Sequence, residues 1–173
     1  MFARNISFDS GVSCFLFGPR GTGKTTWLHH LYPNAVFVDL LEARTFNELA
    51  ADPQRLENRL VNHNDEPVII DEVQTLPALL DEVHRLIEGR NLWVILTGSS
   101  GRKLRRTGVN LLGGRAVTKH MNPLTAGEMG DAFNFTKCLK HGFLPSIHDP
   151  EKSINPETYL HSYVQTYLRE EVM

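Results

Sequence analysis

A chain of 173 residues, 41% hydrophobic and 22% charged, is long enough for one domain with a real core. Its net charge of −2, with eight histidines counted neutral, excludes a global basic field that would draw in nucleic acid and leaves only local basic patches for that purpose. Two cysteines, Cys14 and Cys138, provide neither a metal spacing nor a disulfide framework, and no apolar run approaches the roughly 18 residues of a membrane span.

Residues 1–11 read as a lead-in, with Phe2, Ile6 and Phe8 expected to pack on the first strand. This stretch has no apolar signal core, and the cysteine usage fits a reducing, cytoplasmic compartment. Val12–Phe17 is a short buried strand. Gly18-Pro19-Arg20-Gly21-Thr22-Gly23-Lys24-Thr25-Thr26 follows, and the next helix is expected from Thr26 to Leu31. A second strand spans 35–40, and a helix spans 42–51. Asp52-Pro53 has the form of an N-cap with proline at the first helical position, predicting a helix with Leu56, Leu60 and Val61 on one face. Asn62 to Pro67 is a polar loop.

Val68-Ile69-Ile70-Asp71-Glu72 is a continuous apolar run ending in two acids, as expected of a central parallel strand covered on both faces. Leu76, Leu79, Leu80, Val83, Leu86 and Ile87 then recur at helical spacing up to Gly89. Leu92–Leu96 is another strand, closing in Thr97-Gly98-Ser99-Ser100. The basic cluster 102–106 fits a short helix, and 115–122 the last strand. Thr125 and Glu128 have capping-box spacing. Residues 131–155 carry no clear period. Asn155-Pro156 opens a final helix striped with Tyr159, Leu160, Tyr163, Val164, Tyr167 and Leu168. Strands alternating with helices over the first 122 residues are the mark of an α/β fold with a mostly parallel sheet.

Residues 18–25 match G-x-x-x-x-G-K-[ST], the phosphate-binding P-loop, and they sit between strand and helix as that motif requires. Glycines permit the φ > 0 angles of a tight loop whose N–H groups turn inward. Lys24 can reach the β- and γ-phosphates, and the Thr25 hydroxyl can ligate Mg²⁺. Asp71 ends its apolar strand in the Walker B manner and is the expected second holder of Mg²⁺. Glu72 is placed to position and deprotonate an attacking water. Among Thr97, Ser99 and Ser100, Ser99 is the favoured sensor of the γ-phosphate, against an ordinary Gly-Ser turn. Arg20, Arg102, Arg105, Arg106 and Arg115 are candidates for stabilising charge on the transferring group, with Arg115 the first choice.

The residues Gly-Pro-Arg-Gly-Thr-Gly-Lys-Thr at 18–25, Val-Ile-Ile-Asp-Glu-Val-Gln at 68–74 and Leu-Thr-Gly-Ser-Ser at 96–100 resemble the AAA+-type ATPase domain of a large prokaryotic family. So do Leu-Gly-Gly-Arg at 112–115, Asn-Pro-Leu-Thr at 122–125, Gly-Phe-Leu-Pro at 142–145 and the closing Tyr-Leu-Arg-Glu-Glu-Val. The resemblance implies a three-layer P-loop fold with strand order 5-1-4-3-2 and a helical C-terminal segment. It divides the chain into an ATPase core at 1–124 and an extension at 125–173 that begins a lid or a linker. It further implies ATP as nucleotide, Glu72 as catalytic acid, Ser99 as sensor and Arg115 as a functional arginine. Its members usually continue into a restriction-endonuclease-like domain, a route to a DNA or protein partner.

Two function classes follow. One is Mg²⁺-dependent hydrolysis of ATP to ADP and phosphate, in a monomer or a homo-oligomer. The other is a nucleotide-dependent binding switch with negligible turnover. A small-molecule kinase is disfavoured by the acid pair, which suits water as nucleophile. A GTPase is disfavoured because Asp71-Glu72-Val73-Gln74 lacks the Asp-x-x-Gly switch and no Asn-Lys-x-Asp segment is present.

Overall fold

The structure is a computed structural model describing residues 1–61, 65–106 and 112–168. The first half of the loop expected at Asn62–Pro67, residues 62–64, and the Arg-Glu-Glu-Val of 169–172 lie outside the described residues, as do the side chains of Lys103, Arg105, Arg106 and Leu168. The chain forms two compact units. One comprises Ser7–Gly18 and Lys24–His120; the other comprises Met1–Ile6, Pro19–Gly23 and Met121 onward.

The larger unit is built on five parallel strands: β1 (Cys14–Phe17), β2 (Val36–Asp39), β3 (Val68–Asp71), β4 (Val94–Gly98) and β5 (Val117–His120). Their order across the sheet is β2-β3-β4-β1-β5, which is the expected 5-1-4-3-2 viewed from the opposite edge. Between them run α1 (Lys24–Leu31), α2 (Ala43–Ala51), α3 (Arg55–Asn58), α4 (Leu79–Arg90) and α5 (Gly101–Arg106). Phe15, Phe17, Val68, Ile70, Val94 and Leu96 project to one face of the sheet, where Leu49, Leu56, Leu79, Val83 and Leu104 cover them. Cys14, Leu16, Ile69 and Ile95 alternate to the other face and are equally inaccessible. Burial on both faces is what an uninterrupted apolar strand requires.

Two helix boundaries differ from expectation. Asp52 does not open a long helix. It ends α2, and its Oδ1 accepts the Gln54 N–H at 3.2 Å, so α3 is a single turn. Leu56 and Leu60 are buried, but Val61 is 81% exposed, since no further helical turn carries it inward. Gly89 does not end α4. Asn91 does, in the left-handed region at φ 51°, with its N–H on the Leu86 carbonyl.

The smaller unit carries α6 (Ala126–Met129), α7 (Phe135–His141), α8 (Pro145–His148) and α9 (Pro156–Tyr163). Thr125 and Glu128 form the expected capping box, and Asn155 accepts from the Glu157 and Thr158 N–H groups to open α9. Asn134 caps α7 by accepting from the Lys137 N–H at 2.8 Å. Leu124, Met129 and Cys138 form a small core. Phe2 packs against that core, and Phe8 in the larger unit lies against Trp27 and Tyr32. Tyr159, Tyr163 and Tyr167 stack in series, with ring centroids 6.3 and 5.0 Å apart. Among the described residues, no helix is long and apolar enough to cross a membrane.

Burial pushes the Cys14 thiol up from 9.0 to about 12, against a smaller opposing pull from Lys119. The folded state therefore holds this proton more tightly than the unfolded one. Its contribution to stability is complete below pH 9 and is lost as pH rises toward 12. Alkylation with iodoacetamide at about pH 8, where the free thiol begins to ionise, followed by mass spectrometry, should leave Cys14 unmodified in native protein and modify it fully in urea. Rapid native modification would contradict the burial of β1.

Candidate nucleotide-binding site

Parallel strands deliver their C-terminal ends to one edge of a sheet. Here Ile69 is level with Ile95, and Ile95 with Cys14, so Asp71, Thr97 and Leu16 come out at the same height. Gly18 leaves β1 there, with its N–H on the Gly98 carbonyl at 3.2 Å. Lys24 and Thr25 begin α1.

Three oxygen groups converge at this edge. The Thr25 hydroxyl donates to Asp71 Oδ2 at 2.7 Å. The Thr97 hydroxyl donates to Asp71 Oδ1 and accepts the Glu72 N–H at 3.3 Å. Asp71 is 6% exposed and Thr97 fully buried. Lys24 is buried too, with Nζ on the Gly18 carbonyl at 2.6 Å. Such an ammonium can exchange one oxygen partner for another, as phosphate binding would require.

Glu72 is buried beside Asp71 and adopts a left-handed backbone conformation, φ 57° and ψ 45°. A non-glycine residue there is strained, and such strain concentrates at functional sites. The Thr75 N–H and hydroxyl both donate to the Glu72 carbonyl at 2.9 Å, fixing the turn. Gln74 Nε2 donates to the Glu72 carboxylate. A Cβ at position 98 would come within 2.5 Å of Gln74 Oε1, so Gly98 makes room for that amide.

Ser99 is buried just past β4. Arg115 is elsewhere. It precedes β5, so it lies before the N-terminal end of that strand, three strands from β3. Its Nε donates to Glu88 Oε1 at 2.6 Å, and its Nη1 to the Gly113 carbonyl at 3.1 Å. The Arg115 guanidinium holds the Glu88 carboxyl below its usual range. The structure thus brings Lys24, Thr25, Asp71 and Glu72 to one edge and leaves Arg115 at the other.

Within the smaller unit, Pro19–Gly23 form the remaining arc of the phosphate loop. Gly21 and Gly23 have φ of 77° and 88°. Left-handed residues at alternate positions curl successive N–H groups to one side, the geometry of an anion nest. The Pro19 carbonyl accepts the Thr22 hydroxyl at 2.9 Å. Arg20 and Thr26 are exposed.

Gln74 is a contributor to which sequence reasoning assigns no role, and Thr97 is one that it weighs as a sensor but passes over for Ser99. Thr97 is one of three candidate hydroxyls at the end of β4, and strand register selects it: standing level with Asp71, it aims its hydroxyl at the carboxylate.

A five-stranded parallel sheet of this order, with a glycine loop after β1 and an acid at the end of β3, defines a P-loop nucleotide-binding domain of the α/β class. The family model described as an AAA domain matches residues 12–130, more than half the chain, and the chain belongs to that family. It is accordingly an ATPase-type, nucleotide-binding domain. No curated protein matches it at a significant level.

Thr97→Val keeps the shape of the side chain and removes both its hydrogen bonds. It should cost about 1–3 kcal/mol, because the Glu72 N–H and one Asp71 oxygen lose their partner in a buried place. Urea unfolding measures this, and an unchanged midpoint would show that neither group depends on Thr97.

Proposed function

We propose that this chain binds ATP with Mg²⁺ and hydrolyses it to ADP and phosphate. The observation that carries the reading is the meeting of Thr25 Oγ1 and Asp71 Oδ2 at 2.7 Å, beside a buried lysine and a second buried acid. A hydroxyl and one carboxylate are hard oxygen donors that suit Mg²⁺, which takes its other ligands from water and phosphate. Thr25 and Asp71 would hold the ion, which would supply neutralisation of charge on the terminal phosphates.

The chain's own groups supply the rest. Lys24 places its charge by the terminal phosphates, and the glycine loop offers N–H donors. Glu72 takes a proton from the attacking water as the new P–O bond forms, and the bond from γ-phosphorus to the bridging oxygen breaks to release ADP. Ser99 is the proposed sensor of the γ-phosphate. Arg115 is the proposed functional arginine, and acting across an interface it would serve a second copy of the chain. A homo-oligomer is therefore part of the proposal, as is a protein or DNA partner that the resemblance to the endonuclease-fused family suggests.

A second reading, a switch with negligible turnover, draws on one observation. The Gln74 amide donates to the Glu72 carboxylate and so competes for the lone pairs a base would use.

Lys24→Ala should abolish ATP binding in titration calorimetry, and retained affinity would overturn the P-loop assignment. Glu72→Gln should bind ATP normally and turn over about 10²–10⁴-fold more slowly. Phosphate release by wild type and by this variant, with and without duplex DNA, separates the readings. Wild-type turnover in Glu72→Gln would remove Glu72 from the mechanism, and no turnover in either protein would favour the switch.

A further inference from the structure

In a trans peptide the C=O and the next N–H point in opposite directions, because the unit is planar. Whatever holds a loop carbonyl outward therefore aims the following N–H inward. Two carbonyls of the loop arc are held in this way within the smaller unit. Tyr163 of α9 donates its hydroxyl to the Arg20 carbonyl at 3.1 Å. Arg4 donates Nη1 to the Thr22 carbonyl at 3.4 Å, a long bond but one carrying a full charge. The peptide units concerned end in the N–H groups of Gly21 and Gly23, the two left-handed positions of the arc.

Both donors are themselves fixed. The Arg4 side chain is 4% exposed and pairs with Glu128 at 3.3 Å, while its other terminal nitrogen donates to the Asn122 carbonyl. Glu128 also accepts the Asn5 and Thr125 N–H groups, each at 2.8 Å. Burial alone would raise the Glu128 carboxyl, but these donors and Arg4 together bring it below its usual range. Tyr163 stacks between Tyr159 and Tyr167, and a Cβ on Gly21 would lie 3.2 Å from the Tyr159 hydroxyl. The tyrosine stripe of α9 is therefore seated on the loop backbone itself.

We propose that Tyr163 and Arg4 are positioning residues for phosphate binding: by tying the Arg20 and Thr22 carbonyls outward, they aim the Gly21 and Gly23 N–H groups at a bound polyphosphate. This rests on the ATP-binding reading above. It makes the first residues of the chain and its ninth helix part of the phosphate-binding apparatus.

The test is titration calorimetry of the full chain with ATP and with inorganic tripolyphosphate, which has no base or sugar. Tyr163→Phe removes one hydroxyl and should weaken both ligands equally, by about threefold to tenfold. Arg4→Lys keeps the charge but loses the forked reach, and should do the same. The ligand-free melting temperature of Tyr163→Phe should stay close to that of wild type, which a merely structural role would not combine with weaker binding. Unchanged tripolyphosphate affinity in either folded variant overturns the role of that residue, whether or not ATP affinity changes. The tyrosine variant decides alone if the arginine variant does not fold. Lys24→Ala is the control: if it still binds both ligands, the P-loop reading fails, and if it binds neither while Tyr163→Phe and Arg4→Lys bind as wild type does, only the present proposal fails.

Discussion

A carboxylate at the end of a buried strand must find donors, because an unpaired buried charge is costly. Asp71 meets this condition with two hydroxyls, Thr25 from the helix after the glycine loop and Thr97 from the neighbouring strand. Each depends on something larger. Thr97 reaches Asp71 only because β3 and β4 are parallel and in register. Thr25 reaches it only because α1 starts where the loop from β1 ends. One acid thus ties together the sheet order, the helix start and the loop. The same oxygen set is the one proposed to hold a divalent ion, so on that proposal a packing requirement and a binding requirement coincide at one side chain.

Much of this is legible in the sequence. The apolar runs at β1, β3 and β4 mark strands buried on two faces, and the order of the glycine loop and the two acids brings their chemistry to one edge. The leucine stripe of α4 is equally plain. The misread boundaries have local causes. Asp52-Pro53 has the sequence of a helix opening, but Asp52 is used to end α2. Gly89 looks like a stop, but an asparagine two residues on takes the left-handed conformation instead. Helices α7 and α8 lack a strong apolar period, and the clearer signals are the Asn134 cap of α7 and Pro145 at the start of α8.

The site residues divide in the same way. Lys24, Thr25 and Asp71 are fixed by motif spacing along the chain. Thr97 and Gln74 are fixed by register and by a tight turn, which one sequence does not display. For Arg115, the position after two glycines is visible in the sequence, whereas its place before β5 and its pairing with Glu88 are set by the fold. The unit holding Arg4, Pro19–Gly23 and α9 draws on three separated segments, and no local pattern in Arg4 or Tyr163 announces contact with loop carbonyls.

Glu72 is the point at which local cost argues for a role. A left-handed glutamate is disfavoured relative to glycine or asparagine. The turn that imposes the conformation is nonetheless well determined, with two donors from Thr75 on one carbonyl. Reversing the backbone immediately after Asp71 keeps the next carboxylate at the edge of the sheet instead of sending it down the opposite face, as strand alternation would. Gln74 then holds that carboxylate, and Gly98 leaves space for the amide that does so. Strain, turn, amide and glycine are four separate features of the sequence with one common effect, the placement of a second acid beside the first. That convergence supports the proposal that Glu72 takes part in chemistry, while the amide bond within it is also what the switch reading draws on.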